Sequence, residues 1–207
     1  HARPFIAGDS VYILGQNGDL MITKSDDKGE TWTTANSLTE EQRWHQSACN
    51  VWHANGSVYL VMERRVPRNI SGWEVANIAP VLMKGKENSD LRKRKNWTFA
   101  SEMVFEDVVD FRKTSYVGIP FYKMHPKNNV PVGDHTMSPI GWLEANVVQI
   151  QDPKHLWYDP EGKTFHLFMR AHTGTTNYAA ICKVVEQPNG ELKTKLERAP
   201  SGKKLVY

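Results

Sequence analysis

The same hairpin is written three times in this chain, and that repetition constrains the fold more than any other feature. The segments IAGDSVYILGQ (from Ile6), HANGSVYLVME (from His53) and YDPEGKTFHLFMR (from Tyr158) each join a tight turn, containing Gly with Asn or Asp, to a strand rich in β-formers. Each is followed by another strand-like run: LMITKS from Leu20, APVLMKG from Ala79 and AAICKVVE from Ala179. Two of these lead into Trp-containing stretches at Trp32 and Trp97, and the third into Pro188-Asn189-Gly190 and a further strand-like run. Helical periodicity is nearly absent, apart from a turn of helix expected at Leu38-TEEQRW.

The repeating unit is therefore about four short strands in ~45–50 residues, the size of one blade of a β-propeller. A β-sandwich also has many short strands, but it gives no reason for one hairpin to recur three times. The sequence predicts an all-β propeller, with blades at approximately 1–47, 48–100, 101–150 and 151–207 of the 207 residues. The stretch from Phe111 to Pro139, rich in Pro, Gly and Asn, reads as a long loop or an elaborated blade. A six-bladed propeller needs roughly 300 residues or more, so about four blades are expected here, as part of a larger whole.

At Ser25 the chain reads Ser25-Asp26-Asp27-Lys28-Gly29-Glu30-Thr31-Trp32. The Asp27 carboxylate is suited to accept turn N–H groups, Gly29 to take a positive φ, and Trp32 to bury its ring between blades. This segment resembles the Asp box, S-x-D-x-G-x-T-W, of sialidases and their relatives, and matches it at each defining position. The box signals a fold and is not itself catalytic. Ser89-DLRKRKNWT looks like a degenerate second copy.

The resemblance implies a six-bladed sialidase-like propeller and an exo-α-sialidase-type glycoside hydrolase acting on terminal acidic sugars. By that likeness Arg3, ahead of Pro4, and Arg170 would clamp a substrate carboxylate, Asp19 would be the acid/base, and Glu144 would support a nucleophilic Tyr beyond Tyr207. Arg64 and Arg65 compete for the clamp role. A guanidinium binds a carboxylate bidentately and keeps its charge at any working pH. No cofactor is expected, and the likeness implies a secreted, periplasmic or cell-surface protein whose partner is a glycan.

A rival chemistry lies in the histidines. Trp44-His45-Gln46-Ser47-Ala48-Cys49-Asn50-Val51-Trp52-His53 is dense in reactive and stacking side chains. A lyase or unusual glycosidase of uronate-containing polysaccharide needs a base and a cation beside the uronate, and His45, Tyr158 and Arg170 would fill those roles. A non-catalytic glycan-binding propeller is the third reading, since fold does not fix function. Trp44, Trp142 and Trp157 are candidates for stacking on sugar rings.

Other classes find little support. The net charge is +3, and the one dense basic run, Leu91 to Lys95, reads as a solvated turn, so no nucleic-acid partner is expected. No stretch approaches the ~18 apolar residues of a membrane helix. His125 and His135 lack the spacing of a zinc site, and Cys49 with Cys182 makes no disulfide framework, so no metal is expected. Asn55, Asn69 and Asn96 head N-x-S/T triplets. The sequence is silent on oligomeric state.

Overall fold

The computed structural model describes residues 2–46, 50–66, 77–104, 107, 130–132, 135–137, 141–172, 177–197 and 205–206. Almost all of their regular structure is β-strand, arranged in open antiparallel sheets. The first sheet is an up-and-down meander of β1 (Ala2–Ala7), β2 (Ser10–Asn17), β3 (Asp19–Ser25) and β4 (Asn36–Ser37). In the second sheet two short strands, β5 (Trp44–His45) and β6 (Val51–Ala54), both pair with β7 (Ser57–Arg65). It continues through β8 (Ile78–Lys86) to β9 (Trp97–Phe99). A two-strand ribbon, β10 (Val130–Val132) with β11 (His135–Met137), falls inside the expected loop.

The third sheet runs β12 (Gly141–Val148), β13 (Thr164–His172), β14 (Asn177–Glu186), β15 (Leu192–Glu197), and β16 (Leu205–Val206) also pairs with β14. Because β12 pairs with β13, this sheet runs across the blade division expected near residue 150. Two of the expected hairpins are found, β1–β2 and β6–β7, whereas the third turn, at Gly162, closes the long loop from Gln149 to Lys163 that joins β12 to β13. The segment from Leu38 to Arg43 contains no helix; it is a series of bends leading into β5.

The three sheets stack face to face in chain order. Along β7 the side chains alternate between two cores, which is why its sequence reads as a continuous apolar run rather than an alternating one. Val58, Leu60 and Met62 pack with Phe5, Tyr12, Leu14, Leu20 and Ile22 of the first sheet. Tyr59 and Val61 pack with Trp142, Val147, Phe165 and Leu167 of the third. Ring contacts cement each seam, with Tyr59 stacked on Phe165 at 4.1 Å and Phe5 edge-on to Trp97 at 6.2 Å.

Asn50 stitches the second seam where the leading strand of the second sheet is split. Its amide Nδ2 donates to the Val147 carbonyl at 2.7 Å, and its Oδ1 accepts the Val147 N–H at 2.8 Å. Its own N–H donates to Asn146 Oδ1 at 2.9 Å. The carboxamide thus replaces a strand backbone opposite a fully buried residue.

The Asp box fills the connection between the third and fourth strands of the first sheet. Ser25 Oγ donates to Asp27 Oδ1 at 2.7 Å, and the Thr31 N–H reaches the same oxygen at 2.8 Å. The Thr31 hydroxyl donates to Asp27 Oδ2 at 2.5 Å, and the Gly29 N–H to Ser25 Oγ at 2.8 Å. Led by the Thr31 hydroxyl, these donors lower the Asp27 carboxyl to about 2. Gly29 takes φ +99°, as the motif requires. The expectation for Trp32 is overturned: the ring is 40% exposed, and instead of entering a seam it folds back so that Nε1 donates to the Gly29 carbonyl at 3.0 Å.

The degenerate copy occupies the equivalent connection, between β8 and β9. There Arg92 forks onto Asp90 at 2.9 and 3.0 Å, and the buried Trp97 donates to the Leu91 carbonyl at 2.8 Å. In the third sheet the same connection is the Pro188-Asn189-Gly190 turn.

Candidate functional site

Strand register divides the stack into two ends. The starts of β1, β5 and β12, the ends of β7 and β13, and the β2–β3 turn share one end. The Trp44 N–H on the Gly18 carbonyl, at 2.9 Å, ties the first two sheets together there. The Asp box, the Asn55-Gly56 turn and the loop from Gln149 to Lys163 lie at the other, where Asn55 Nδ2 donates to the Gly162 carbonyl at 2.8 Å.

The first end carries the chemistry. Glu63 closes the apolar run of β7 on the face turned to the third sheet, and its side chain is only 1% exposed. Directly across the ladder stands His45, whose Nδ1 lies 2.6 Å from Glu63 Oε2. The second carboxylate oxygen accepts the backbone N–H of Glu144 at 3.1 Å. Glu144 sits at φ +57° where the β12–β13 register shifts between Leu143 and Asn146. That bulge aims its N–H at Glu63 and leaves its own carboxylate to meet Arg170 Nη2 at 2.7 Å. One buried carboxylate thus connects a histidine on the second sheet to an acid–arginine pair on the third.

Chemically, the buried acid orients the imidazole, in the manner of an acid–His pair. His45 Nδ1 points inward, and among the described residues Nε2 has no hydrogen-bond partner. The His45 side chain is 27% exposed. Glu144 is 47% exposed and Arg170 28%, placing their pair at the rim.

Several expected site residues do other work. Arg3 is 4% exposed, and its Nη1 donates to the Val61 carbonyl at 2.7 Å, bridging the first two sheets. Asp19 accepts from the Thr39 hydroxyl at 2.8 Å and the Gln42 N–H at 2.9 Å. These two bonds, the Thr39 one foremost, hold its carboxyl below the usual range, which ill suits a proton donor. Tyr158 lies in the loop at the opposite end, its N–H on the His155 carbonyl at 2.9 Å, so it does not join His45 and Arg170. Arg64 turns to the first-sheet face, 5.8 Å over the Trp44 ring and 3.3 Å from Glu102.

Trp44 and Trp142 are 5% and 1% exposed and belong to the cores, while Trp157 stacks on His166 at 5.1 Å at the far end. The Asn55 side-chain amide donates to the Gly162 carbonyl and that of Asn96 to the Asp90 carbonyl, and Cys49, Asn69 and His125 lie outside the described residues. No cluster of metal-ligating residues occurs among the described residues, and no helix there is long and apolar enough to cross a membrane.

Sequence reasoning singled out His45, Glu144 and Arg170 but missed Glu63. Its signal was a lone acid ending the apolar run Val58–Met62, where an isolated charge is costly unless paired.

The fold and site define an all-β chain of face-packed antiparallel sheets with a His–Glu–Glu–Arg cluster at one end. Comparison with family models, with curated proteins and with solved structures finds no match to this chain.

Proposed function

We propose that this chain is part of a sialidase-like β-propeller acting outside the cytoplasm as a glycoside hydrolase on acidic sugars of glycans, with His45 as the proton-transfer residue. The observation that carries the reading is the His45–Glu63 pair, 2.6 Å long, with its acid buried and, among the described residues, no partner on its outer nitrogen. The propeller is supported by meanders of like strand order packed face to face, with Asp-box-type connections in the first two. His45 passes a proton from Nε2 to the leaving oxygen while Glu63 holds the ring in place through Nδ1. Glu144 offers a carboxylate to the positive charge that develops on the sugar ring. His45 replaces Asp19 in the acid/base role, because Asp19 is committed to the turn ending at Gln42.

The same pair supports a second reading. With Glu63 accepting from Nδ1–H, Nε2 is a base, and β-elimination from a uronate polymer would use it directly. Product chemistry separates the two. Sialosides and uronate polysaccharides are incubated side by side with the full chain, its H45Q variant and its E63Q variant. Release of free acidic sugar, reduced about 10²–10⁴-fold in H45Q, supports hydrolysis. Unsaturated ends absorbing in the near ultraviolet support elimination. Cleavage indifferent to H45Q, or binding without cleavage, refutes the catalytic reading.

A further inference from the structure

The dipeptide Asn-Gly occurs three times, at Asn17-Gly18, Asn55-Gly56 and Asn189-Gly190, and each stands in a turn between paired strands. Asparagine before glycine is the step at which a chain most readily attacks itself, because glycine has no side chain to shield its amide nitrogen from the preceding carboxamide. The sequence makes the three steps equivalent; the fold does not.

Two of them are held. At Asn189, Oδ1 accepts the Glu191 N–H at 3.1 Å and the Gly190 N–H donates to the Gln187 carbonyl at 2.8 Å, so electrophile and nucleophile are both tied. At Asn55 the carboxamide alone is tied, through Nδ2 on the Gly162 carbonyl at 2.8 Å. Asn17 differs. Asn17 and Gly18 are both exposed, and among the described residues neither the Asn17 carboxamide nor the Gly18 N–H has a hydrogen-bond partner. Gly18 sits at φ +75°, a conformation that favours glycine, so the turn keeps the least hindered nucleophile in place.

We infer that Asn17 is a site of spontaneous covalent modification, the first in this chain to pass through a succinimide to aspartate and isoaspartate. The Gly18 nitrogen, its proton taken by solvent base, attacks Asn17 Cγ. A C–N bond forms, the Cγ–Nδ2 bond breaks, and the amide leaves with a proton as ammonia. Water then opens the ring at either carbonyl, returning a proton to nitrogen and leaving a carboxylate. No electron is gained or lost, and the inference does not rest on the proposed function.

The place of the turn gives the modification its consequence. Asn17 pairs with Asp19 across the turn, so the product sets two carboxylates opposite each other, which is destabilising. Isoaspartate also lengthens the backbone by one carbon immediately before Gly18, whose carbonyl holds the Trp44 N–H at 2.9 Å. Asp19 in turn holds the Gln42 N–H at 2.9 Å. Both anchors of the link into β5, and hence of His45, stand on this turn.

The test is peptide mapping by mass spectrometry of the full chain aged in warm, mildly alkaline buffer, with isoaspartate counted by enzymatic methylation. In the native chain, conversion at Asn17 should run about tenfold or more ahead of Asn189, where two hydrogen bonds must open first, and severalfold ahead of Asn55. In guanidinium chloride the three rates should draw together, because the neighbouring glycine is then all that acts. N17Q should remove the leading signal and leave the other two unchanged. Equal rates in the native chain, a lead at Asn55 or Asn189, or an order that persists unchanged in guanidinium chloride overturns the assignment.

Discussion

Asn50→Ala is the most informative single change to the scaffold beneath the site. The substitution removes two side-chain hydrogen bonds, of 2.7 and 2.8 Å, without touching an apolar contact of either core. It leaves the N–H and C=O of Val147, a residue with no exposed surface, unpaired. Each orphaned buried group costs about 1–3 kcal/mol, and relaxation toward solvent offsets part of that, so the expected loss is about 2–4 kcal/mol. For a chain of this size that lowers the melting temperature by about 5–15 °C. Urea unfolding followed by Trp fluorescence measures it directly, as a lower midpoint with an unchanged slope. Asn50→Asp keeps one acceptor but loses the donor to Val147, and it should fall at least as far. A loss of under about 0.5 kcal/mol in Asn50→Ala would show that the carboxamide does not stand in for backbone, and the reasoning would be wrong.

Two further outcomes follow from the connections between strands. Because folding lowers the Asp27 carboxyl to about 2, its contribution is complete above the unfolded carboxylate range and is lost as pH falls toward 2; acid titration of unfolding should show this slope, and Asp27→Asn should flatten it. Trp97→Ala, at a 4% exposed ring, should cost about 3–5 kcal/mol, whereas Trp32→Ala, at a 40% exposed one, should cost far less; paired thermal melts check the order.

The strands were legible where local chemistry decides them. Gly8-Asp9 and Asn55-Gly56 mark hairpin turns by residue type alone, and Gly8, Asn55 and Gly56 adopt the positive φ those turns need. The Asp box was legible as a hydrogen-bonded turn because its donors and acceptors lie within a few residues of one another. Trp32 was misplaced for the complementary reason: whether a ring enters a seam depends on the neighbouring sheet, which the motif does not encode. A turn of helix is expected at Leu38–Trp44, yet Asp19, twenty residues before Thr39, captures that segment into a bent link. The site was half legible. His45, Glu144 and Arg170 stood out as residue types, but Glu63 joins them only through the β5–β7 register and the Glu144 bulge. Neither local spacing nor composition carries a strand register interrupted between His45 and Val51.

The second sheet, with β7 buried on both faces, bears on how the molecule opens. Both cores close on that strand, so either outer sheet can open alone while β7 keeps the other seam, and only loss of both frees it. Amide protons of Val58–Met62 should therefore exchange with solvent only through global unfolding, and those of the first and last strands much sooner. The slowest-exchanging amides would then report the stability of the whole stack, directly beneath the carboxylate that orients His45.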